Sequence, residues 1–267
     1  MASEQTPSDA RCELKPIAEF RSMYTEKNGT PRQSGICPEA LGCFTIHKDV
    51  FNNPEHSLEG IADFSHLWLI FLFHKNNNSY TKAKVAPPRL NGVRVGLFST
   101  RSPYRPNPIG LSLVKIERIE GSCVHVSGAD LLDGTPIIDI KPYIGDYDAP
   151  STAATTDQST SSTHRTAAWV SCPPIESLSL NFTPEAERQT EQLSAENQLR
   201  FIDSADLRRA IVNILSADPR SAYRRKRCSD RLYFFKVDCV HVTCWFNGNV
   251  AQVLRVKMLE DSDQTDE

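Results

Sequence analysis

Residues 111–119 have the sequence Leu-Ser-Leu-Val-Lys-Ile-Glu-Arg-Ile, and this stretch decides the fold class. Its apolar residues alternate with polar ones only in part, because the apolar series changes face between Leu113 and Val114. Successive side chains of a strand point to opposite faces, so such a change is typical of a strand that bends or carries a bulge. The stretch therefore predicts a curved sheet.

Short segments of the same kind lie on both sides of this stretch. The strand candidates are residues 42–47, 67–73, 92–98, 110–120, 123–127 and 136–140. Loops rich in Pro, Gly and Asn separate them, and none has the spacing of a long amphipathic helix. Many short strands favour a mainly β, barrel-like N-terminal domain, with a sandwich as the alternative. A doubly wound sheet, which needs crossover helices, is disfavoured.

Changes in composition divide the chain further. Nine of the fourteen residues 151–164 are Ser or Thr, which is typical of a flexible linker. We expect a disordered N-terminus over residues 1–15, the β-barrel domain over 16–148 and the linker over 149–168. A smaller α+β domain over 169–258 and a frayed acidic tail over 259–267 complete the chain.

Capping residues predict two helices in the second domain. Thr183 followed by Pro184 is a credible helix start, and Ser204 is predicted to cap the next helix. The apolar stripe of that next helix consists of Leu207, Ile211, Ile214 and Leu215, and Asp218-Pro219 ends it. Strands are predicted over residues 232–237, 239–246 and 250–258, with a hairpin turn at residues 247–249.

Composition and charge exclude several classes of protein. The 267 residues are 39% hydrophobic and 24% charged, as in ordinary globular proteins. With 30 Lys and Arg against 33 Asp and Glu, the net charge of −3 excludes a uniformly basic surface but permits a local basic patch. The longest apolar run, residues 67–73, is too short to span a bilayer, and residues 1–9 lack the apolar core of a secretion signal. We expect a cytoplasmic, or cytoplasmic and nuclear, protein with no membrane partner.

The eight cysteines contain no CxxC pair, so no metal site is expected. The most metal-like spacing is that of Cys239, His241 and Cys244. On a strand Cys239 and His241 share a face while Cys244 points to the other, so a core strand is the better interpretation.

A loop over residues 99–110, Ser-Thr-Arg-Ser-Pro-Tyr-Arg-Pro-Asn-Pro-Ile-Gly, concentrates candidate binding residues between two predicted strands. Its three prolines restrict the backbone and so lower the entropy cost of holding Arg101 and Arg105 in place. Guanidinium groups held in this way suit a carboxylate or a phosphate. The alternative is a rigid loop whose arginines pair with internal acids.

Two further clusters carry charge. Asp130, Asp133 and Asp139 adjoin apolar strands, where an ionised carboxylate needs donors or a cation, although Asp133-Gly134 is also an ordinary turn dipeptide. Six of the twelve residues 220–231 are basic, which indicates contacts with the phosphates of RNA or DNA. A solvated charge run or a localisation signal is the alternative interpretation.

Phosphate-binding glycine loops, GxSxG and HExxH are all missing from the sequence, so residue patterns alone identify no reaction. Several multi-residue motifs, however, resemble those of the TrmO (TsaA-like) family and occur in the same order along the chain. They are Pro31-Arg32-Gln33, residues 60–68, 87–90 and 96–101, Arg105-Pro106-Asn107-Pro108-Ile109-Gly110, residues 130–136 and 139–143, and Asp218-Pro219-Arg220 with Tyr223. The resemblance implies an S-adenosylmethionine-dependent tRNA methyltransferase built on a β-barrel. It also implies a homodimer with the cofactor near the interface, acting on N6 of N6-threonylcarbamoyladenosine beside the anticodon.

The resemblance also implies site residues. Those expected to bind the cofactor are Pro31, Arg32, Gln33, His74, Lys75, Arg101, Leu111, Asp130, Leu131, Leu132 and Asp133. Those expected to act on the substrate are Arg101, Asn107, Asp130, Arg220 and Tyr223. Arg105, Asn107 and Arg220 are candidates to hold the threonyl carboxylate, and Tyr223 to stack on a base. The alternative function is a non-catalytic RNA- or partner-binding protein on the same scaffold.

Overall fold

The computed structural model describes residues 13–76, 82–149, 165–172, 178–196, 199–202, 204–228 and 231–259. Residues 1–12 of the predicted disordered N-terminus, residues 150–164 of the predicted linker and residues 260–267 of the predicted tail lie outside these residues. No helix within the described residues is long and apolar enough to cross a bilayer.

Six antiparallel strands close a barrel in the N-terminal region. Within the described residues, the first eight strands are β1 (Ala18–Ser22), β2 (Leu41–Ile46), β3 (His66–Leu72), β4 (Lys84–Val85), β5 (Val95–Gly96), β6 (Ile109–Glu120), β7 (Cys123–Ser127) and β8 (Thr135–Pro142). The order around the barrel is β1-β2-β7-β6-β3-β8, and β8 pairs with β1 to close it. The short pair β4 and β5 lies in the connection between β3 and β6. The predicted mainly β, barrel-like N-terminal domain is confirmed.

The predicted irregularity of β6 lies further along the strand than its sequence suggested. The register with β7 shifts between Ile116 and Arg118, which is a bulge. Before it, Gly110, Ser112 and Val114 point into the barrel, so the expected change of face at Val114 does not occur. The interior has little room here, because a Cβ on Gly110 would lie 2.2 Å from the Phe71 ring.

Apolar side chains fill the barrel. The interior is formed by Phe20, Phe44, Leu67, Leu69, Val114, Val124, Val126 and Ile137, each at most 1% exposed. Full burial of one such side chain stabilises the fold by about 1.5–3 kcal/mol. Buried and more exposed residues alternate along β2 and along residues 123–126 of β7, so Cys43, Cys123 and His125 share the outer face.

Two N-terminal predictions need correction. The strand β1 was missed, because Ala-Glu-Phe-Arg-Ser carries a single large apolar side chain. The predicted strand over residues 92–98 is reduced to Val95–Gly96, followed by a 3-10 turn over Leu97–Ser99. Gly92 has a φ of 98°, a left-handed conformation that breaks the extended run.

The smaller unit combines a sheet with helices. Its strands are β9 (Ser179–Phe182), β10 (Tyr233–Val237), β11 (Val240–Asn247) and β12 (Val250–Met258). The α-helices in the described part of the chain are α1 (Gly145–Asp148), α2 (Ala168–Ser171), α3 (Pro184–Ala195), α4 (Leu207–Ser216) and α5 (Ala222–Arg227). The sheet order is β10-β11-β12-β9, with β9 parallel to β12. The predicted smaller α+β unit and its hairpin turn are confirmed, while β9 was missed.

Helix starts in this unit were predicted with mixed success. Thr183 caps α3 by accepting a hydrogen bond from the Ala186 amide at 3.1 Å. The prediction that Ser204 caps the next helix is wrong, because a 3-10 turn over Ser204–Asp206 precedes α4 and Asp206 occupies the cap position. The apolar stripe of α4 is buried as predicted, and its residues Leu207, Ile211, Ile214 and Leu215 are at most 1% exposed.

The two units share a hydrophobic core. Met23, Tyr24, Cys37 and Ala40 of the N-terminal unit are buried in the cluster formed by α3, α4 and the second sheet. Gly29, with a φ of 83°, lies so close that a Cβ on it would be 2.5 Å from the Phe235 ring. The segment between β1 and β2 is therefore fixed against the second unit.

Candidate functional site

The loop between β5 and β6 presents Arg101 on a rigid frame. Within it, the Arg105 guanidinium donates to the carbonyl oxygens of Thr100, at 2.8 Å, and Ser102, at 3.5 Å. The same guanidinium lies 5.5 Å from the ring centre of Phe98. Arg105 therefore holds the loop together, whereas the neighbouring Arg101 is exposed and available to an anion.

Arg101 joins this loop to the segment between β1 and β2. Its Nη1 donates to Oε1 of Gln33 at 2.9 Å, across 68 positions in sequence. Both residues were predicted from sequence as cofactor-binding, and the structure brings them into contact. The Gln33 side chain also donates to the Arg32 carbonyl at 2.5 Å, which fixes the orientation of its amide.

Asp130 is the titratable group of this site. Its carboxylate accepts a short hydrogen bond from the Ser112 hydroxyl on β6. Burial raises the pKa of Asp130 to about 6, and the Ser112 bond and the charge of Arg101 offset only part of that increase. A carboxylate with this pKa is mostly ionised at neutral pH and can accept a proton. Ser112 was not predicted; its only signal is a polar residue in an inward-facing series.

The residues after Asp130 fix the backbone. Leu131 is 1% exposed in the barrel core, and Leu132 packs against the core of the second unit. The Asp133 carboxylate accepts from the Ser22 amide at 2.9 Å and lies 3.7 Å from Arg21. Direct contact of Leu131, Leu132 and Asp133 with a cofactor stays a prediction, and the contacts observed here hold Asp130 in place.

His74 and Lys75 follow β3 and contact other segments. The Nδ1 of His74 lies 3.4 Å from the Thr135 hydroxyl on β8, and burial, with Lys75 second, lowers the pKa of His74. Lys75 donates to the Thr25 carbonyl at 3.2 Å and lines a shallow cleft of about 340 Å³ with residues 25–28. The lowered pKa keeps His74 neutral at physiological pH, so its ring can accept or donate a hydrogen bond.

Arg32 connects this site to the second unit. Its guanidinium donates to three consecutive carbonyl oxygens, those of Asp218 at 3.3 Å, Pro219 at 2.8 Å and Arg220 at 3.0 Å. Pro31 beside it is buried. The Pro-Arg-Gln motif thus makes two kinds of contact. Arg32 hydrogen-bonds to the backbone of residues 218–220, and Gln33 accepts a hydrogen bond from Arg101.

Arg220 is buried, which differs from the exposed clamp that the sequence suggested. It is 8% exposed, and its Nε and Nη2 donate to the two carboxylate oxygens of Asp218 at 2.8 and 3.0 Å. Its guanidinium carbon lies 3.7 Å from the ring centre of Phe246. In this arrangement Arg220 shapes the turn that Arg32 recognises, and its contact with substrate stays a prediction.

The helix α5 divides the basic run into buried and exposed members. Arg225 has a side chain only 11% exposed and donates to the Pro88 carbonyl at 2.5 Å. Tyr223 is 68% exposed, and Lys226 and Arg227 also face solvent. Lys226 approaches the loop that follows β4, since its Nζ is 3.4 Å from where a Cβ on Gly92 would be. Exposed Arg89 and Arg94 of that loop extend the same basic surface.

The start of β6 exposes apolar side chains beside these groups. Large exposed fractions belong to Phe98 (79%), Tyr104 (45%), Ile109 (40%) and Leu111 (50%). Asn107 is exposed between them, and its carbonyl accepts from the Ile109 amide at 2.7 Å. The predicted cofactor residue Leu111 thus faces away from the barrel core, next to the inward-facing Ser112.

Known proteins match both units. The family model for the tRNA-methyltransferase O N-terminal domain matches residues 19–149, and that for the TrmO C-terminal domain matches residues 175–259. A mouse protein named tRNA (adenine(37)-N6)-methyltransferase is 34% identical, over 94% of this chain and 90% of its own length. A Pyrococcus abyssi protein named "probable S-adenosyl-L-methionine-binding protein" is 35% identical over 50% of this chain and 69% of its own.

A solved structure resembles the whole fold. The crystal structure of TrmO from Pseudomonas aeruginosa has a TM-score of 0.69 and 30% identity, and the match covers 95% of this chain and 100% of that one. The match therefore includes both the barrel and the second sheet. The chain belongs to the TrmO family of tRNA methyltransferases.

Proposed function

We propose that this protein transfers a methyl group from S-adenosylmethionine to N6 of adenine 37 in tRNA, and that the adenine it accepts carries the threonylcarbamoyl group. The observation that carries the proposal is the contact between Gln33 and Arg101 beside the carboxyl of Asp130. Family membership supplies the reaction, and this contact supplies a place for it.

The residues around Arg101 fit the cofactor. S-adenosylmethionine supplies an electrophilic methyl group on a sulfonium and carries a carboxylate, an ammonium group and an adenosine. Arg101 is a cation suited to the carboxylate, while Gln33 and Asp130 offer oxygens to the ammonium group or to hydroxyls. Exposed Leu111 offers an apolar surface for the adenine. No glycine-rich phosphate loop is needed, because this cofactor has no phosphate.

Asp130 is the proton acceptor that this site offers. Methylation of N6 replaces its hydrogen, so a proton must leave as the N6–carbon bond forms and the sulfur–carbon bond breaks. The pKa of about 6 at Asp130 combines ionisation at neutral pH with proton affinity above that of an ordinary carboxylate. The Ser112 hydrogen bond and the fixed backbone of residues 131–133 hold the carboxylate in one orientation.

The tRNA is held by the basic surface that α5 and the loop after β4 form together. Lys226, Arg227, Arg89 and Arg94 are exposed cations suited to phosphates, and Tyr223 presents a ring on which a base can stack. Asn107, exposed just before β6, has a side-chain amide that can donate to the threonyl carboxylate. Since Arg105 and Arg220 already bind protein groups, Asn107 is the candidate of the three that is left for this recognition.

A homodimer would cover the exposed apolar group at the start of β6. This group lies within ten residues of Arg101 in sequence and consists of Phe98, Tyr104, Ile109 and Leu111. Patches of exposed apolar side chains are typical of protein interfaces. A second copy packed here would bring its own residues close to the cofactor. The site would then be completed by two chains.

Nucleoside mass spectrometry tests the function directly. The protein is incubated with S-adenosylmethionine and tRNA that either carries or lacks the threonylcarbamoyl group. We expect a methyl group only on the threonylcarbamoyl nucleoside. Methylation of unmodified adenosine would contradict the substrate assignment. Binding of tRNA without any product, and without a rise in melting temperature on adding the cofactor, would favour the non-catalytic alternative.

A further inference from the structure

Three side chains with metal-binding atoms converge on the outer face of the barrel. Cys43 lies on β2, and Cys123 and His125 lie on β7. Their Sγ and imidazole nitrogen atoms all lie within 4.8 Å of one another. The sequence suggested no such group, because Cys43 and Cys123 are 80 positions apart and form no short motif.

The strand register explains this convergence. Cys43 is paired with His125 across the two strands, and Thr45 is paired with Cys123. Residues two apart on a strand share a face, so all three side chains point outward from the barrel. Each is partly buried, and they are held by two of the hydrogen-bonded strands that close the barrel.

A candidate fourth ligand, Glu120, lies at the end of β6, outside the group of three whose atoms are all within 4.8 Å of one another. The Nε2 of His125 lies 3.5 Å from the Sγ of Cys123 and 3.1 Å from the Oε2 of Glu120. Glu120 is paired with Cys123 at the hairpin between β6 and β7. Its other carboxylate oxygen accepts from the Arg118 Nε at 2.8 Å, which orients the group.

We propose that Cys43, Cys123 and His125 form a zinc-binding site on the outer face of the barrel, which Glu120 completes when its exposed side chain turns toward the metal. With Zn–S near 2.3 Å and Zn–N near 2.0–2.1 Å, tetrahedral geometry separates the sulfur and nitrogen atoms by about 3.6 Å. The observed separation of 3.5 Å between Cys123 Sγ and His125 Nε2 agrees with this value. Thiolate and imidazole ligands bind zinc in preference to magnesium or calcium, which favour oxygen ligands.

The electrostatic surroundings suit a bound cation with two thiolates. Two thiolates and one carboxylate exceed the charge of Zn²⁺ by one. Arg118, which is paired with Glu120 at 2.8 Å, balances this excess.

A disulfide between the same cysteines fits the register poorly. Cys43 and Cys123 are diagonal neighbours, and diagonal positions of an antiparallel pair are about 7–8 Å apart. A disulfide needs Cα atoms about 4.4–6.8 Å apart. A metal ion does not require this approach, because tetrahedral zinc holds two sulfur atoms about 3.8 Å apart without a bond between them.

The site is structural and distinct from the methyl-transfer site. Its four protein ligands leave no open position, which is typical of structural zinc. It lies at the Cys123 end of β7, and Asp130 follows the other end, about 13 Å away along the strand at 3.3 Å per residue. The metal joins β2, β6 and β7, so its expected effect is on stability.

Metal analysis of the full-length protein tests the proposal. The protein is purified from zinc-supplemented cells, and its metal content is measured by elemental mass spectrometry. We expect about one zinc ion per chain. Cys43→Ser and His125→Ala should each lose it, while Cys172→Ser, at an exposed cysteine away from the group, should retain it. Absence of stoichiometric zinc, or equal zinc in Cys43→Ser, would overturn the site.

Cobalt substitution identifies the ligands. The protein loaded with CoCl₂ should show thiolate-to-cobalt charge transfer and the strong visible bands of tetrahedral cobalt, and Cys123→Ser should weaken both. Glu120→Gln should keep the charge-transfer band while zinc affinity falls at least about tenfold, as expected when a ligand or its orientation is lost. An intact mass lower by two hydrogens would instead show a disulfide and contradict the proposal.

Discussion

Arg220 and Asp218 form a buried ion pair between residues two apart in the chain, and this pair builds the turn that Arg32 recognises. Replacing Arg220 with Ala leaves the Asp218 carboxylate buried without its main partner. Breaking a buried pair in this way typically costs about 3–5 kcal/mol. We expect Arg220→Ala to lower the free energy of unfolding by that order, measured by chemical denaturation. Arg227→Ala, at an exposed position, is the matched control and should change it by little.

Asp130 should control the pH dependence of methylation. Its pKa of about 6 means that the carboxyl is protonated below that pH and cannot accept a proton. We expect kcat/KM to fall about tenfold per pH unit below pH 6, and Asp130→Asn to leave a low rate without this slope. A wild-type profile that is flat from pH 5 to 8 would contradict the assignment.

The same carboxyl should lower stability at high pH. Its folded pKa of about 6 exceeds the ordinary value of 3.8, so its stabilising contribution is present at low pH and is lost as the pH rises through 6. This difference in pKa lowers the free energy of unfolding by about 3 kcal/mol at pH 8. We expect Asp130→Asn to be more stable than the wild type at pH 8, with a smaller gain at pH 5, by urea denaturation at both values.

Arg101 and Gln33 should determine cofactor affinity. Losing a hydrogen bond to a charged group typically costs about 1.5–3 kcal/mol, or roughly tenfold to hundredfold in affinity. We expect Arg101→Ala to weaken S-adenosylmethionine binding by that factor in calorimetry, and Gln33→Ala to weaken it less. Arg94→Ala, an exposed arginine of the neighbouring loop, is the control and should bind the cofactor normally without tRNA. Equal affinity in Arg101→Ala would contradict the site.

The exposed cations of α5 should set the salt dependence of tRNA binding. Each lost phosphate contact lowers the slope of log affinity against log salt concentration by about one. We expect the double variant Lys226→Ala/Arg227→Ala to show a shallower slope than the wild type. Lys48→Ala/Lys141→Ala removes the same charge elsewhere on the surface and should leave the slope unchanged. Arg225 is unsuitable for this test because its buried side chain bonds to Pro88.

Local patterns in the sequence predicted most regular elements. Thr183 and the stripe of α4 depend on neighbours within a few residues, so their spacing was sufficient. The start of α4 was misplaced because a Ser that begins a 3-10 turn has the same local pattern as a Ser that caps an α-helix.

The site was predictable as motifs but not as contacts. Arg220 belongs to a run that suggests solvated charge, and only the fold places Phe246 and Asp218 around it. Likewise, Ser112 meets Asp130 because two adjacent strands bring them together. Strand register, which single-sequence patterns leave undetermined, decides such pairs.

The core that Met23, Tyr24, Cys37 and Ala40 share with the second unit limits the autonomy of each half. Two family models divide the chain at residues 149 and 175, yet a fragment that ends at this division would expose Tyr24 on one piece and Phe235 on the other. Each half therefore matches a family model of its own, but neither is expected to fold stably without the other. Insertions between them can vary in length, because the contacts that join them lie elsewhere, whereas substitutions at Gly29 would disturb both at once.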